Sequence, residues 1–175
     1  MKKVEIYDNF LSPEACHTMY DMTIHSEYKL GWEDSYEIQN RSYPNLHGRW
    51  SLEDLKKTTI VPPLLKILKK RNIKLNNFFK CIINLTKPHD VNFIHIHHNQ
   101  IGVLYYSNIT WDPQWGGETL FYEDNKKDIL LASPYVPNRL IVFDGSVPHT
   151  IKSQNLVGPS YRFTTSIFFH KNEDK

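Results

Sequence analysis

Residues 79–85 read FKCIINL, and their alternation decides the fold: Phe79, Cys81, Ile83 and Leu85 fall on one side of an extended chain. Upstream of residue 74 the apolar positions recur at helical spacing. Downstream they alternate or form short apolar runs: GVLYYSN, ETLFYED, DILLAS, RLIVFDG, HTIKS and YRFTTSIFF. Turn-forming stretches such as DPQWGGE and SPYVPN separate these runs. The pattern predicts about eight short strands after residue 74, with helices confined to residues 1–73. A mainly β chain of this kind folds as an antiparallel sandwich or jelly roll, with a core over residues 74–170 and N-terminal packing helices.

The N-terminal part begins with a short strand in VEIY. A helix follows, with Ser12 as cap, Pro13 in the first helical position and Glu14 near the positive helix end. Cys16, Met19, Tyr20 and Ile24 recur at helical spacing and are expected in the core. A second helix starts at SLEDL, capped by Ser51; Pro62 and Pro63 interrupt it, and PPLLKILKKR resumes with Leu64, Leu65 and Leu68 on one face. Residues 28–50 show no clean period and are rich in Tyr, Trp, Asn and Arg. They read either as a covering or binding loop or as an ordinary surface excursion.

At 175 residues the chain is expected to form one domain, 1–175, able to bury roughly 70% of its unfolded surface without covalent staples. A net charge of +2, with acids and bases interspersed, gives no sign of a nucleic-acid or membrane surface. The basic run LKILKKRNIK reads as the solvated face of a helix end. The two cysteines, Cys16 and Cys81, lie within apolar patterns and are expected as free thiols in a reducing compartment. MKKVEIYDNF lacks the apolar stretch of a signal peptide and no segment is long and apolar enough to span a bilayer, so the expected location is the cytoplasm.

Four of the nine histidines fall within residues 88–100, PHDVNFIHIHHNQ. If VNFIHIH is extended, His95 and His97 project from one face, their Cα atoms about 7 Å apart. Two such imidazoles can converge on one ion. His149 is the best third ligand, because it follows the apolar run RLIVF and the Asp144–Gly145 turn and so starts the next strand of an expected hairpin. His17, His25, His47, His89 and His170 read as ordinary core or surface residues.

In YRFTTSIFF, Arg162, Thr164 and Ser166 share one face, while Phe163, Thr165, Ile167 and Phe169 share the other. An inward arginine needs an anionic partner, which a bound carboxylate supplies in bidentate form. From this strand alone the opposite arrangement, Arg162 in solvent and the aromatic side inward, is equally open.

Taken together, WDPQWGGETLFYED, SPYVPNRLIVFDGSVPHTIKSQ and YRFTTSIFF resemble the prolyl 4-hydroxylase-like family of Fe(II)- and 2-oxoglutarate-dependent dioxygenases, its small bacterial and phage-type members in particular. The resemblance covers residues 75–170 well and the helices more loosely. It implies a double-stranded β-helix (a jelly roll), Fe(II) as metal and 2-oxoglutarate as co-substrate. It places the distal iron ligand at His149 and the far carboxylate of 2-oxoglutarate at Arg162, with Ser166 nearby and Tyr106 approaching the co-substrate.

The sequence departs from the family at the first ligand pair. Where the family has His-x-Asp or His-x-Glu, this chain has His95-Ile96-His97, so His97 stands in the carboxylate position. A shifted register would give His97-His98-Asn99 instead, but the VNFIH alternation favours the first. Imidazole is a competent iron ligand but brings no negative charge. It also fills the space that a small residue leaves for halide in related halogenases, so the resemblance implies hydroxylation.

The implied activity is a 2-oxoglutarate-dependent hydroxylase acting on peptidyl proline, another peptide or a small molecule, with Trp111 and Trp115 at the substrate entrance. Two other readings remain: a three-histidine metalloenzyme that does not use 2-oxoglutarate, and a non-catalytic jelly-roll binding module. The orientation of Arg162 discriminates the first of these.

Overall fold

The computed structural model describes residues 3–31 and 45–172 of the chain. Part of the aromatic stretch read as a loop, residues 32–44, lies outside the described residues. The elements run β1 (Val4–Tyr7), α1 (Pro13–Ile24), β2 (Lys29–Leu30), β3 (Leu46–Trp50), α2 (Leu52–Lys56), α3 (Val61–Lys70) and β4 (Phe78–Thr86). Then come β5 (Gln100–Tyr106), β6 (Thr119–Tyr122), β7 (Ile129–Ser133), β8 (Leu140–Asp144), β9 (His149–Ile151) and β10 (Arg162–His170).

The expected helix starts are present. The Ser12 hydroxyl accepts from Ala15 N with Pro13 in the first turn, and Ser51 forms a reciprocal capping box with Asp54. Pro62 and Pro63 sit in the first turn of α3, where a missing N–H costs nothing. Two expectations fail: Ile24, on the last turn of α1, is exposed, with Thr23 in the buried position beside Met19, and Leu65 is exposed while Leu64 and Leu68 are buried.

A seven-stranded antiparallel sheet runs β1-β8-β5-β10-β4-β3-β2, and a three-stranded sheet β7-β6-β9 faces it. This is the mainly β jelly roll anticipated from the alternation. Strands β2 and β3 were not anticipated; both fall within residues 28–50, where no periodicity announced them.

The alternation separates two interiors. Cys81, Ile83, Val103, Tyr105, Leu140, Val142, Ile167 and Phe169 point to the helix side and pack with Met19, Leu55, Leu64 and Leu68. Leu104, Tyr106, Ile141, Phe143 and Phe168 point between the sheets, against Phe121, Tyr135 and Val147. Both faces of β10 are therefore buried, which the sequence did not distinguish from a strand with one wet side.

The expected hairpin around Asp144–Gly145 is instead an arch: β8 belongs to the large sheet and β9 to the small one. The Asp144 carboxylate accepts from Ser146 N, Ser146 Oγ and Lys171 Nζ, so it holds the turn and is not a ligand. By crossing between the sheets, the arch delivers His149 into the space between them.

Candidate metal centre

Strand β9 begins at His149, and an antiparallel bridge joins it to His95. His95 N donates to His149 O and His149 N to His95 O, each at 3.1 Å. Residues 91–97 do not form the regular strand that the alternation suggested; the His95 bridge is the sole ladder contact there. His97 N donates instead to the Gly145 carbonyl at 2.7 Å. The expected convergence nevertheless holds. His95, His97 and His149 are all buried, and each offers a ring nitrogen such that the three lie within 4.8 Å of one another. No Asp or Glu joins them among the described residues.

Gly145 is required at the arch. A Cβ there would lie 2.3 Å from the His97 carbonyl oxygen and 2.8 Å from that of Gln100, closer than any side chain can approach backbone. The turn that positions His149 thus also clamps His97.

Hydrogen bonds fix two of the tautomers. His95 Nδ1 lies 2.8 Å from the Phe93 carbonyl, and His149 Nδ1 lies 2.9 Å from the Val147 carbonyl. A carbonyl only accepts, so Nδ1 carries the proton and Nε2 keeps its lone pair. The His97 ring rests on Phe168, centroids 4.1 Å apart, and its buried Nε2 has no hydrogen-bond partner. Burial pushes the His95 pKa down to about 4. Burial, then the neighbouring His149 and His95, pushes His97 down as well. All of these effects favour neutral imidazoles, the metal-binding form.

Arg162 lies on the inter-sheet face of β10 and is completely buried, which removes the solvent-facing alternative. Its Nε donates to the Gly117 carbonyl at 2.9 Å, but buried Nη1 and Nη2 have no hydrogen-bond partner. The guanidinium carbon lies 4.7 Å from the centroid of Tyr135 and 5.5 Å from that of Tyr106. Desolvation lowers its pKa, opposed by Tyr135, Tyr106 and Glu118. The next inward residue, Thr164, has a buried hydroxyl that is also unpartnered. Three unused donor groups around one buried cation describe a socket shaped for a carboxylate.

The Gly-Gly run serves this socket. Gly117 has φ +86°, and a Cβ on it would lie 3.0 Å from Trp111 and 3.1 Å from Arg162 Nε. Glycine lets the backbone press against the guanidinium and present its carbonyl.

The remaining expected residues are close to this socket but hold different positions. The Tyr106 hydroxyl donates to Thr119 Oγ1 at 2.9 Å, and its ring stacks on Tyr135. Ser166 faces inward beyond Thr164, and its Oγ accepts from Asn84 Nδ2 at 3.3 Å. Trp111 packs on Tyr135, contacts Trp115 edge-on and donates to the Gly116 carbonyl. These contacts put Trp111 in the wall of the guanidinium socket, with Trp115 behind it. Tyr135, Gly117 and Thr164 were not assigned to the site from sequence. Thr164 was readable from its spacing to Arg162, whereas Tyr135, inside SPYVPN, has no periodic context.

No protein-family model matches the chain, and no curated protein matches it. Solved structures do. A prolyl hydroxylase from Trichoplax adhaerens, in complex with a hypoxia-inducible-factor oxygen degradation domain peptide fragment, superposes with a TM-score of 0.72 and 18% identity, covering 96% of this chain and 83% of that one. A Pseudomonas putida prolyl-4-hydroxylase gives 0.67 at 13% identity, covering 97% and 93%. HygX from Streptomyces hygroscopicus, with nickel, 2-oxoglutarate and hygromycin B bound, gives 0.65 at 8% identity, covering 97% and 83%. At these identities it is the architecture that is shared: the chain has the fold of prolyl hydroxylases and other 2-oxoglutarate/Fe(II) oxygenases.

Proposed function

We propose that the chain is an Fe(II)- and 2-oxoglutarate-dependent hydroxylase acting on peptidyl proline. The observation that carries this reading is the buried, under-satisfied guanidinium of Arg162 facing the same inter-sheet space that holds a convergent histidine triad. A lone buried cation is costly, and neither a three-histidine hydrolase nor a passive binding module gives it a reason. A dicarboxylic co-substrate does, with one end on the metal and the other on Arg162.

In this reading His95, His97 and His149 hold Fe(II) through Nε2. Arg162 Nη1 and Nη2, with the Thr164 hydroxyl, take the distal carboxylate of 2-oxoglutarate. Tyr106 and Tyr135 cover the guanidinium and exclude water, and Ser166 and Asn84 line the floor between the two ends. Bound there, iron and co-substrate supply the oxidising chemistry, with succinate and CO₂ as co-products. The chain contributes orientation and a dry cavity. The ligand set is charge-neutral, so the co-substrate's two negative charges offset those of the ion.

The preference for peptidyl proline rests on similarity to prolyl hydroxylases, one of which is solved with a peptide. Among the described residues no helix is long and apolar enough to cross a membrane, and the free thiols Cys16 and Cys81 fit a reducing, cytoplasmic setting.

The test is succinate formation by the iron-loaded chain with 2-oxoglutarate and oxygen, with and without a prolyl peptide. Succinate above a His149→Ala control, rising with peptide, is the expected result. Metal binding with no succinate and no 2-oxoglutarate affinity would overturn the proposal.

A further inference from the structure

Two side-chain amides between the sheet and the histidines leave complementary groups unused. Asn45 stands just before β3, and its carbonyl accepts from Gly31 N at 2.9 Å, which carries the β2–β3 ladder one residue further. In that extended register it falls on the same side as His47, whose partner Asn84 bonds Ser166 on the inter-sheet face. Asn92 lies three residues before His95, so at most about 10 Å of chain separates it from the proposed metal ligand.

The two side chains meet. Asn45 Nδ2 donates to the Val91 carbonyl at 3.3 Å and to Asn92 Oδ1 at 3.4 Å. These bonds fix which end of each amide is oxygen. A carbonyl only accepts, so Asn45 must turn Nδ2 towards Val91, and Asn92 must then offer Oδ1. Asn45 Oδ1 and Asn92 Nδ2 remain, both buried and both without a hydrogen-bond partner. Asn45 is only 6% exposed, whereas Val91 beside it is 58% exposed, so the pair lies just beneath the surface.

A buried amide oxygen and a buried amide nitrogen each cost free energy when unpaired. Side by side, they match a partner that presents one donor and one acceptor. A carboxylate offers only acceptors and an ammonium only donors. A main-chain peptide unit offers both, and being neutral it carries no charge to be desolvated.

We infer that Asn45 and Asn92 clamp the main chain of a peptide substrate: Asn45 Oδ1 accepts a peptide N–H, and Asn92 Nδ2 donates to a peptide carbonyl. Proline has no N–H, so the clamped N–H belongs to a neighbour of the residue that reacts. The clamp rests on the hydroxylase reading for the identity of that residue, and it makes the substrate a peptide in preference to a free amino acid.

The experiment uses the full chain loaded with Fe(II) and 2-oxoglutarate under anaerobic conditions, so that binding is read without turnover. The probe is a fluorescent, end-blocked Gly-Ala-Pro-Ala-Gly peptide. Variants of it carry one N-methyl group each on a residue other than proline, and free L-proline serves as competitor. N-methylation at one position should weaken binding about tenfold, with little effect at the others. Asn92→Asp removes the unused donor but keeps the acceptor for Asn45, and it should weaken the parent peptide about tenfold. Asn92→Ala should weaken it as well, which separates loss of the donor from the added charge. Neither variant should alter 2-oxoglutarate affinity.

Unchanged peptide affinity in both Asn92 variants would overturn the clamp, and a lowered melting temperature alongside it would show the two amides to be a structural pair. A probe that does not bind, tolerance of every N-methyl group, or L-proline competing as well as the parent peptide would each overturn it too. If the chain takes no 2-oxoglutarate, the hydroxylase reading fails by itself, and the same peptide comparison in the metal-loaded chain still decides the clamp.

Discussion

The two faces of β10 are built to opposite rules. Phe163, Thr165, Ile167 and Phe169 point towards the helices, where Ile167 and Phe169 join a continuous aliphatic and aromatic core. The Thr165 hydroxyl on that side has its partner in Ser107. Arg162, Thr164, Ser166 and Phe168 point between the sheets, where a guanidinium and a hydroxyl are buried with donors unused. One side of the strand is complete as it stands. The other leaves buried donors unmet, which the proposed co-substrate would satisfy, so the two faces separate residues that fold the chain from residues proposed to bind.

The sharpest way to break this contrast is Arg162→Leu. Removing one partner of a buried charge pair should cost about a thousandfold in 2-oxoglutarate affinity by titration. The ligand-free protein should melt no lower than the parent, because the variant buries no uncompensated cation. A large drop in melting temperature would mean that the guanidinium is a structural element, and the contrast would collapse. On the opposite face, Ile167→Ala should do the reverse. It should destabilise the chain by about 3 kcal/mol in urea unfolding, leaving 2-oxoglutarate affinity within a few fold of the parent.

Gly145→Ala probes the junction between the two regimes. Its Cβ has no room beside the His97 carbonyl, so the clamp must shift. Metal affinity should fall ~10- to 100-fold, the range seen when groups that orient ligands are altered. Unchanged metal affinity would show that His97 is held by other contacts. The smallest expected effect belongs to Ser51→Ala at the start of α2, whose side chain bonds only to Asp54 and touches neither the histidines nor Arg162. Loss of the capping box should cost about 1 kcal/mol with no change in metal or co-substrate binding.

Much of this was legible in the sequence because it depends on local periodicity. Cap residues, prolines and pleat alternation placed the helices and most strands, and the i, i+2 rule put His95 with His97 and Arg162 with Thr164. Residues 28–50 concealed β2 and β3 because β2 is a two-residue edge strand and β3, LHGRW, pairs along β4 without an apolar alternation of its own. The turn at Asp144–Gly145 looked like a hairpin because a hairpin and an arch between sheets require the same turn residues. Tyr135 was missed for a different reason. Its place against the guanidinium is set by the long-range packing of a proline-flanked loop, which no local pattern encodes.

The backbone bridge between His95 and His149 has a consequence for how the proposed ion would be acquired and lost. Two of the three donor rings stand on residues already tied to each other, main chain to main chain, at 3.1 Å in both directions. Their spacing is a property of the polypeptide, not of its cargo. A chelator should therefore empty this site and leave the domain standing, unlike small zinc domains that unravel when stripped. Refilling would then be a simple second-order capture with no refolding phase.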